Sequence, residues 1–511
     1  MADAPQASLS WRSAISIGWL VAFRVVTRML GVISTLVLAR ILVPADFGLV
    51  AIATTFSAGV SALSQIGVQD ALLRRPENDR SLFATAFTLQ ALRGLITGST
   101  IALAATPVAR WFSEPRLVPV LLVLAVVSAV NGLENVGIVE FRRSLRYHYQ
   151  FLLQVVPRVA GFCVTITMAF VLRNYWAMFA GIGVSEIVRL ITSYTLHPSR
   201  PKFALTEWRK LVGFSFWLWL TSLACLVWDR CDPFILGPAL GTAQLGVYLL
   251  AFEVATLPLT ELVQPAAEVL FAGFSAAQRE GTDTTALALS VAVTLLLIVA
   301  PVTIGISAGA GYVVAAMLGT KWYEAQPLIS ILAFLCVFSP FPWVSSSALI
   351  ARGLVRHNFA ANAIASVMKV SILTATVTLS GTMVHIAIAA VGVMGLEAVI
   401  FVGALAHAGF VAFSKIWSPL LRILIASATA ILAADLTGLA WKPAQVTSGP
   451  AVVWGGLLGC LVALVFGVVA VGCWIIAGKP AGPESRLINL GKDFLHRYTR
   501  FMPASENLQP K

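Results

Sequence analysis

Arg24 and Arg28 lie four residues apart inside Ser16 to Ala39, a stretch that is otherwise uncharged. On a helix this spacing puts both guanidiniums on one face, one turn apart. A charge at membrane depth costs roughly 2.5–3.5 kcal/mol on the most lenient scale, and two like charges cannot neutralise each other. The arrangement calls for a water-filled cavity. It suits a ligand with phosphate or carboxylate groups, which guanidinium recognises through paired hydrogen bonds.

Other charges sit at comparable depth. Arg93 and Lys369 fall near mid-span and Arg230 nearer the outside, so Arg24, Arg28, Arg93, Lys369 and Arg230 are read as substrate-binding cavity cations. The competing reading for each is a salt bridge to a carboxylate on another helix. Arg158 and Arg189 lie a turn or two from an inner helix end and can snorkel to phosphate headgroups. Arg189 also has Glu186 at i−3 to neutralise it. Asp229 and Asp232 flank Arg230, either as a self-satisfied ion-pair knot or as gate partners for an arginine elsewhere.

The buried acids Glu134, Glu253, Glu261, Glu268, Glu397 and Asp435 are candidates for carrying a coupling ion, and Glu261, Glu268 and Glu397 lead them. Glu261 and Glu268 are seven residues apart on one helical face, each preceded by a proline, Pro258 and Pro265. Proline frees backbone carbonyls and bends a span. A buried carboxylate with a raised pKa carries a proton, so H+ and Na+ both remain open. No cofactor is implied: no metal or redox spacing is present, and Cys163, Cys225, Cys231, Cys336, Cys460 and Cys473 read as buried free thiols.

The elements that carry these residues are membrane helices. The 511-residue chain is 58% hydrophobic and 11% charged, against about 25% charged in a soluble domain. About fourteen stretches approach the roughly 20 apolar residues of a helical span: 15–39, 46–67, 84–106, 117–139, 151–172, 175–196, 212–236, 245–272, 286–309, 326–350, 359–380, 382–410, 417–438 and 451–477. Alternating barrel strands are absent, so the fold class is an all-α integral membrane bundle. The arginines interrupt any clean signal-peptide core, so the first span is expected to stay in the mature protein.

Placing the N-terminus inside puts 21 Lys and Arg on the inner side and 6 on the outer. That asymmetry is the positive-inside signature. The net charge of +12 therefore reflects topology rather than a nucleic-acid partner, and both termini are expected in the cytoplasm. Residues 38–51 and 236–249 form a weak repeat, with Leu38, Leu42, Ala45 and Gly48 matching Leu236, Leu240, Ala243 and Gly246. The expected organisation is an N-lobe at 1–205, a C-lobe at 206–412, an added pair of spans at 413–478 and a basic tail at 479–511. Glu484 to Met502 has the pattern of an amphipathic helix lying on the inner leaflet. Trp217, Trp219, Trp228, Tyr248, Trp322, Tyr323 and Trp343 are expected mainly at the lipid interface.

Three segments resemble the Wzx-type oligosaccharide flippases, the polysaccharide-transporter branch of the multidrug/oligosaccharidyl-lipid/polysaccharide exporter superfamily. They are Arg24-x3-Arg28 with LARILVPADFGLVAIA (38–53) and QIGVQDALLRR (65–75), then VEFRRSLRYHYQF (139–151), then WDRCDPFILGPALGTAQLGVYLLAFEVATLPL (228–259). The resemblance implies two six-helix lobes, alternating access and a coupling ion. It also implies an undecaprenyl-diphosphate-linked oligosaccharide as substrate in a bacterial inner membrane, and it leaves open whether the protein works alone or beside a polymerase and glycosyltransferases. The alternatives are a multidrug exporter or lipid II flippase of the same superfamily. A membrane glycosyltransferase is disfavoured because the outer loops are short.

Overall fold

A computed structural model describes residues 9–64, 72, 80–144, 146–207, 216–280, 284–407, 414–441, 448–480 and 482–486. All regular structure among them is helical. This is what lipid demands, because only a helix or a closed barrel satisfies its backbone groups without water. Hydroxyls follow the same rule: Thr54, Thr88, Thr100, Thr294 and Thr376 each donate to the carbonyl four residues earlier.

The chain divides into two compact units, Met1–Leu250 with Val377–Gly381, and Ala251–Thr376 with Thr382–Lys511. The first unit holds α1 (Leu9–Ile41), α2 (Pro44–Leu63), α3 (Arg80–Trp111), α4 (Leu117–Asn131), α5 (Tyr147–Leu172), α6 (Trp176–Leu196) and most of α7 (Phe216–Ala255). Antiparallel neighbours pack most closely, α5 on α6 and α3 on α4, and α1 lies along α5. Trp19 meets Phe151 edge-on across that last seam at 4.9 Å.

The second unit contains α8 (Gln264–Arg279), α9 (Thr284–Ala308), α10 (Ala325–Leu332), α11 (Pro340–Ala351), α12 (Val355–Leu379), α13 (Met383–His407), α14 (Ser414–Leu436) and α15 (Ser448–Ile476). Its core has two parts. Phe274, Leu289, Val344, Leu349, Phe401 and Leu405 join α8, α9, α11 and α13. Leu296, Ile304, Ile423, Leu458, Val462 and Phe466 join α9 to α14 and α15.

Twelve helices among the described residues are long and apolar enough to cross a membrane, not the expected fourteen. Two local features account for the difference. Leu117–Asn131 is too short, and α7 runs through the expected seventh span into the eighth. Within α7 the break is Gly241, at φ +76° and ψ 170°, a conformation open to glycine because it lacks a Cβ.

Three further expectations differ from the structure. Only Cys231 and Cys336 are buried, whereas Cys163 and Cys460 are exposed on outward helix faces. Trp322 and Tyr248 are completely buried instead of lining an interface, since large rings fill core volume well. Finally, Glu484 is buried at the start of the expected tail helix, and residues 487–502 lie outside the described residues, as do the side chains of Trp217 and Trp219.

Candidate functional site

The first repeat segment shows how local sequence positions the site. Pro44 occupies the first turn of α2, where its missing N–H costs nothing. Asp46 folds back so that its carboxylate accepts from the Val43 N–H at 3.5 Å. One turn later Gly48 faces the matching segment of α7: a Cβ at Gly48 would fall on the Thr242 carbonyl oxygen, and one at Gly246 would fall on the Pro44 carbonyl oxygen. Positions 44 and 48 thus oppose 246 and 242 reciprocally.

A charged cluster borders this crossing. Arg116 grips Glu114 through two hydrogen bonds of 2.8 Å, and its guanidinium lies 5.8 Å from the Tyr175 ring centre. Thr242 Oγ1 donates to Glu114 Oε2 at 3.5 Å, the oxygen that Arg116 Nη2 also reaches. The Arg116 hydrogen bonds hold the Glu114 carboxyl below the usual range, and the same bonds raise the Arg116 guanidinium. Phe112, Phe56 and Phe234 pack nearby, at 6.0 and 6.4 Å. The sequence reading missed this cluster. The signal was present in Glu114-x-Arg116 at a short turn, but nothing local to it predicts Thr242 as a neighbour.

The predicted cations are distributed along both units. Arg24 is exposed and Arg28 half-buried on α1, one turn apart as expected. Arg93 is half-buried on α3 and makes no hydrogen bond or ion pair with any described residue. Beside it, Gly94 packs backbone-to-backbone against Gly132 and Gln90 Nε2 donates to the Glu134 carbonyl at 3.2 Å. Arg230 is exposed and bonds neither Asp229 nor Asp232. Residues one or two apart on a helix point in different directions. Asp229 is exposed, whereas Asp232 is buried and accepts from Cys231 Sγ at 3.4 Å. In the second unit Lys369 is buried on α12 and Glu397 on α13.

Among the remaining acids, Glu261 is exposed within a π-helical turn, Leu259–Val263, that follows Pro258 and precedes Pro265. Such turns recur where a helix serves a function. The Glu268 side chain lies outside the described residues, and Glu253 and Asp435 are exposed. Glu134 is half-buried at the end of α4, beside Glu186 and Arg189 on α6. Burial pushes its carboxyl up, against the pull of Arg189. As expected, Glu186 faces Arg189, at 3.8 Å, and it also accepts from Asn131 Nδ2 at 3.0 Å. Arg422 takes a partner the sequence did not suggest: Glu484 accepts from its Nε and Nη2 at 2.7 and 3.0 Å, both side chains buried.

The family profile described as polysaccharide biosynthesis protein matches residues 37–327. The chain is 24% identical over 321 residues to the succinoglycan biosynthesis transport protein ExoT of Rhizobium meliloti (strain 1021), covering 62% of this chain and 65% of that one. It thus spans just under two thirds of that relative's length. It is also 24% identical over 354 residues to the lipopolysaccharide biosynthesis protein WzxC of Escherichia coli (strain K12), covering 67% and 71%. Among solved structures, the lipid II flippase MurJ in an inward closed conformation superposes with a TM-score of 0.69 at 12% identity, over 88% of this chain and 98% of that one. At that identity the likeness is one of fold.

Proposed function

The chain belongs to the polysaccharide biosynthesis protein family, and from that premise we propose that it is a flippase for an undecaprenyl-diphosphate-linked oligosaccharide. It moves this substrate from the inner to the outer leaflet of a bacterial cytoplasmic membrane, for surface polysaccharide assembly. The family and its named transport relatives place the chain among transporters rather than enzymes. The observation that carries the substrate class is Arg93, a half-buried guanidinium deep in a span with no partner among the described residues. A cation at that depth is costly unless an anion covers it, and a diphosphate is such an anion.

In this reading Arg24, Arg28 and Arg93 hold the diphosphate while the prenyl tail stays in lipid. Both chain termini lie in the cytoplasm, and the Gly48–Gly246 crossing lies at the outer end. Release requires the two repeat turns to part, which also breaks the Thr242–Glu114 hydrogen bond. Glu261, on its π-turn, and Glu397 are the groups through which H+ or Na+ drives the cycle. A polymerase and glycosyltransferases act before and after it.

The test is deletion of the gene in its host, extraction of undecaprenyl-linked sugars, and complementation with Arg93→Leu and with Arg24→Ala/Arg28→Ala. The expected result is one complete repeat unit accumulating on the inner leaflet and not cleared by either variant, with both variants present at normal levels in the membrane. Unchanged lipid-linked sugars combined with increased drug sensitivity overturn the reading in favour of a drug exporter.

A further inference from the structure

His197 follows the last turn of α6 and is buried. The turn that faces it is shaped for its ring. A Cβ at Gly137 would fall on the imidazole, and Phe141 meets the ring edge-on at 5.4 Å. Both imidazole nitrogens are engaged. The Ser199 N–H points at Nδ1 at 3.2 Å, and Glu140 Oε2 lies 3.1 Å from Nε2. A backbone amide only donates, so Nδ1 is the bare nitrogen and Nε2 carries the hydrogen that goes to Glu140.

From His197 the chain crosses to the first turns of α3 as a strap without regular structure as far as Leu205. Its amides therefore depend on side chains for acceptors. Ser199 has His197 Nδ1, Ala204 has Thr88 Oγ1 at 2.9 Å, and Glu207 has Thr85 Oγ1 at 3.3 Å. Phe203 rests against Phe87 at 5.2 Å. Asn135, fully buried, fixes the root of the strap by donating to the His197 and Ser199 carbonyls at 3.5 and 2.9 Å. Of the three acceptors, only the imidazole can take a proton.

The charged and titratable groups around the ring come from four elements. Glu140 belongs to the short helix Val139–Arg143. Arg200, on the strap, donates to the His197 carbonyl at 3.0 Å and lies 5.7 Å from the ring centre of Tyr194 on α6. Tyr149 and His148, on α5, stack behind Phe141. A proton from water adds to Nδ1, and the ring then turns a donor towards the Ser199 N–H. Glu140 holds the resulting imidazolium through a charge-assisted hydrogen bond, roughly twice as strong as a neutral one. The ring keeps Glu140 and gives up Ser199.

We propose that His197 is a proton-operated latch, which fastens the strap to the first unit when neutral and frees it beyond Asn135 when protonated. In the orientation proposed above the strap faces the cytoplasm and leads on to α7, so the freedom of that connection follows cytoplasmic pH. The latch stands whether or not the chain moves a lipid-linked sugar.

Hydrogen–deuterium exchange of the full chain in nanodiscs tests it at about pH 8 and about pH 5.5, the range in which an imidazole changes charge. Each rate is divided by its intrinsic value at that pH. Exchange in peptides covering 198–207 is expected to rise several-fold at the lower pH, while peptides from α5 and α6 hold steady as the measure of folding. His197→Asn keeps an acceptor for the N–H two residues on, as in an Asx turn, but takes no proton. Its strap is expected to exchange slowly at both pH values. Glu140→Gln removes the carboxylate that favours the charged ring, so the rise is expected to need a lower pH. A wild-type strap whose exchange does not change with pH overturns the proposal. So does a rise that persists in His197→Asn, or one that begins at the same pH in Glu140→Gln.

Discussion

Glu134 carries its charge at the edge of the helix bundle against a clear penalty. Burial raises its pKa above the ordinary glutamate value of 4.5, and neighbouring Glu186 adds to the rise, with Arg189 opposing both. The folded state therefore holds a proton that the unfolded chain releases. The sign follows directly: Glu134 is best tolerated below its ordinary value, and its contribution to stability declines as pH rises through the raised value. Glu134→Gln is expected to melt close to wild type at pH 4 and above it at pH 8. Melting curves of the purified protein at the two pH values check this, and a difference that does not change with pH refutes the account. Arg93 lies nearby with a different cost. Its charge does not titrate away in a protein, so only an anion can relieve it.

Among the elements, α14 and the segment after α15 are joined by one buried contact. Arg422 and Glu484 meet through two parallel hydrogen bonds, Ser418 Oγ accepts from Arg422 Nη1 at 2.8 Å, and Trp474 Nε1 donates to the Pro480 carbonyl at 3.0 Å. Removing one member strands a buried charge at a cost of about 3–5 kcal/mol, whereas replacing the pair by apolar residues of similar volume is often neutral. Glu484→Ala should thus lower the unfolding midpoint far more than Arg422→Met/Glu484→Leu does. Equal losses in denaturant titrations of the two would show that the contact does not carry the attachment. The glycine crossing of α2 and α7 is an element contact of another kind, held by backbone shape alone, with backbone atoms where a Cβ would stand.

For the whole molecule, the transport cycle proposed above predicts that this crossing, which lies within the first unit, opens and closes. Thr242→Cys places a thiol beside Glu114 at the outer end assigned above. Labelling in proteoliposomes with a membrane-impermeant maleimide should be slow at rest and faster once lipid-linked substrate is supplied. Cys163 and Cys460 lie within spans, outside the reach of such a reagent. A rate that substrate does not change would mean that the two turns stay together through the cycle.

Much of this architecture was legible in the chain. Apolar runs mark spans because lipid allows no exposed backbone, and Pro44, Gly241, Pro258 and Pro265 mark where helices start or distort because φ and the N–H are local properties. Helix count was less legible, since a break at Gly241 and a short α4 change length without changing hydropathy. Arg24 and Arg28 were visible as a pair because a charge in an apolar run is conspicuous. The Glu114–Arg116–Thr242 cluster was not, because its members are polar residues at turns, where charge is unremarkable. Sequence by itself determined the class of the protein and most of its spans, since each follows from transfer free energy along a single helix. Tertiary structure alone decided partners: Glu484 for Arg422, Thr242 for Glu114, Gly246 for Gly48, and none among the described residues for Arg93. Those outcomes depend on which helices come together, and hydropathy along one helix carries no record of the face another helix presents to it.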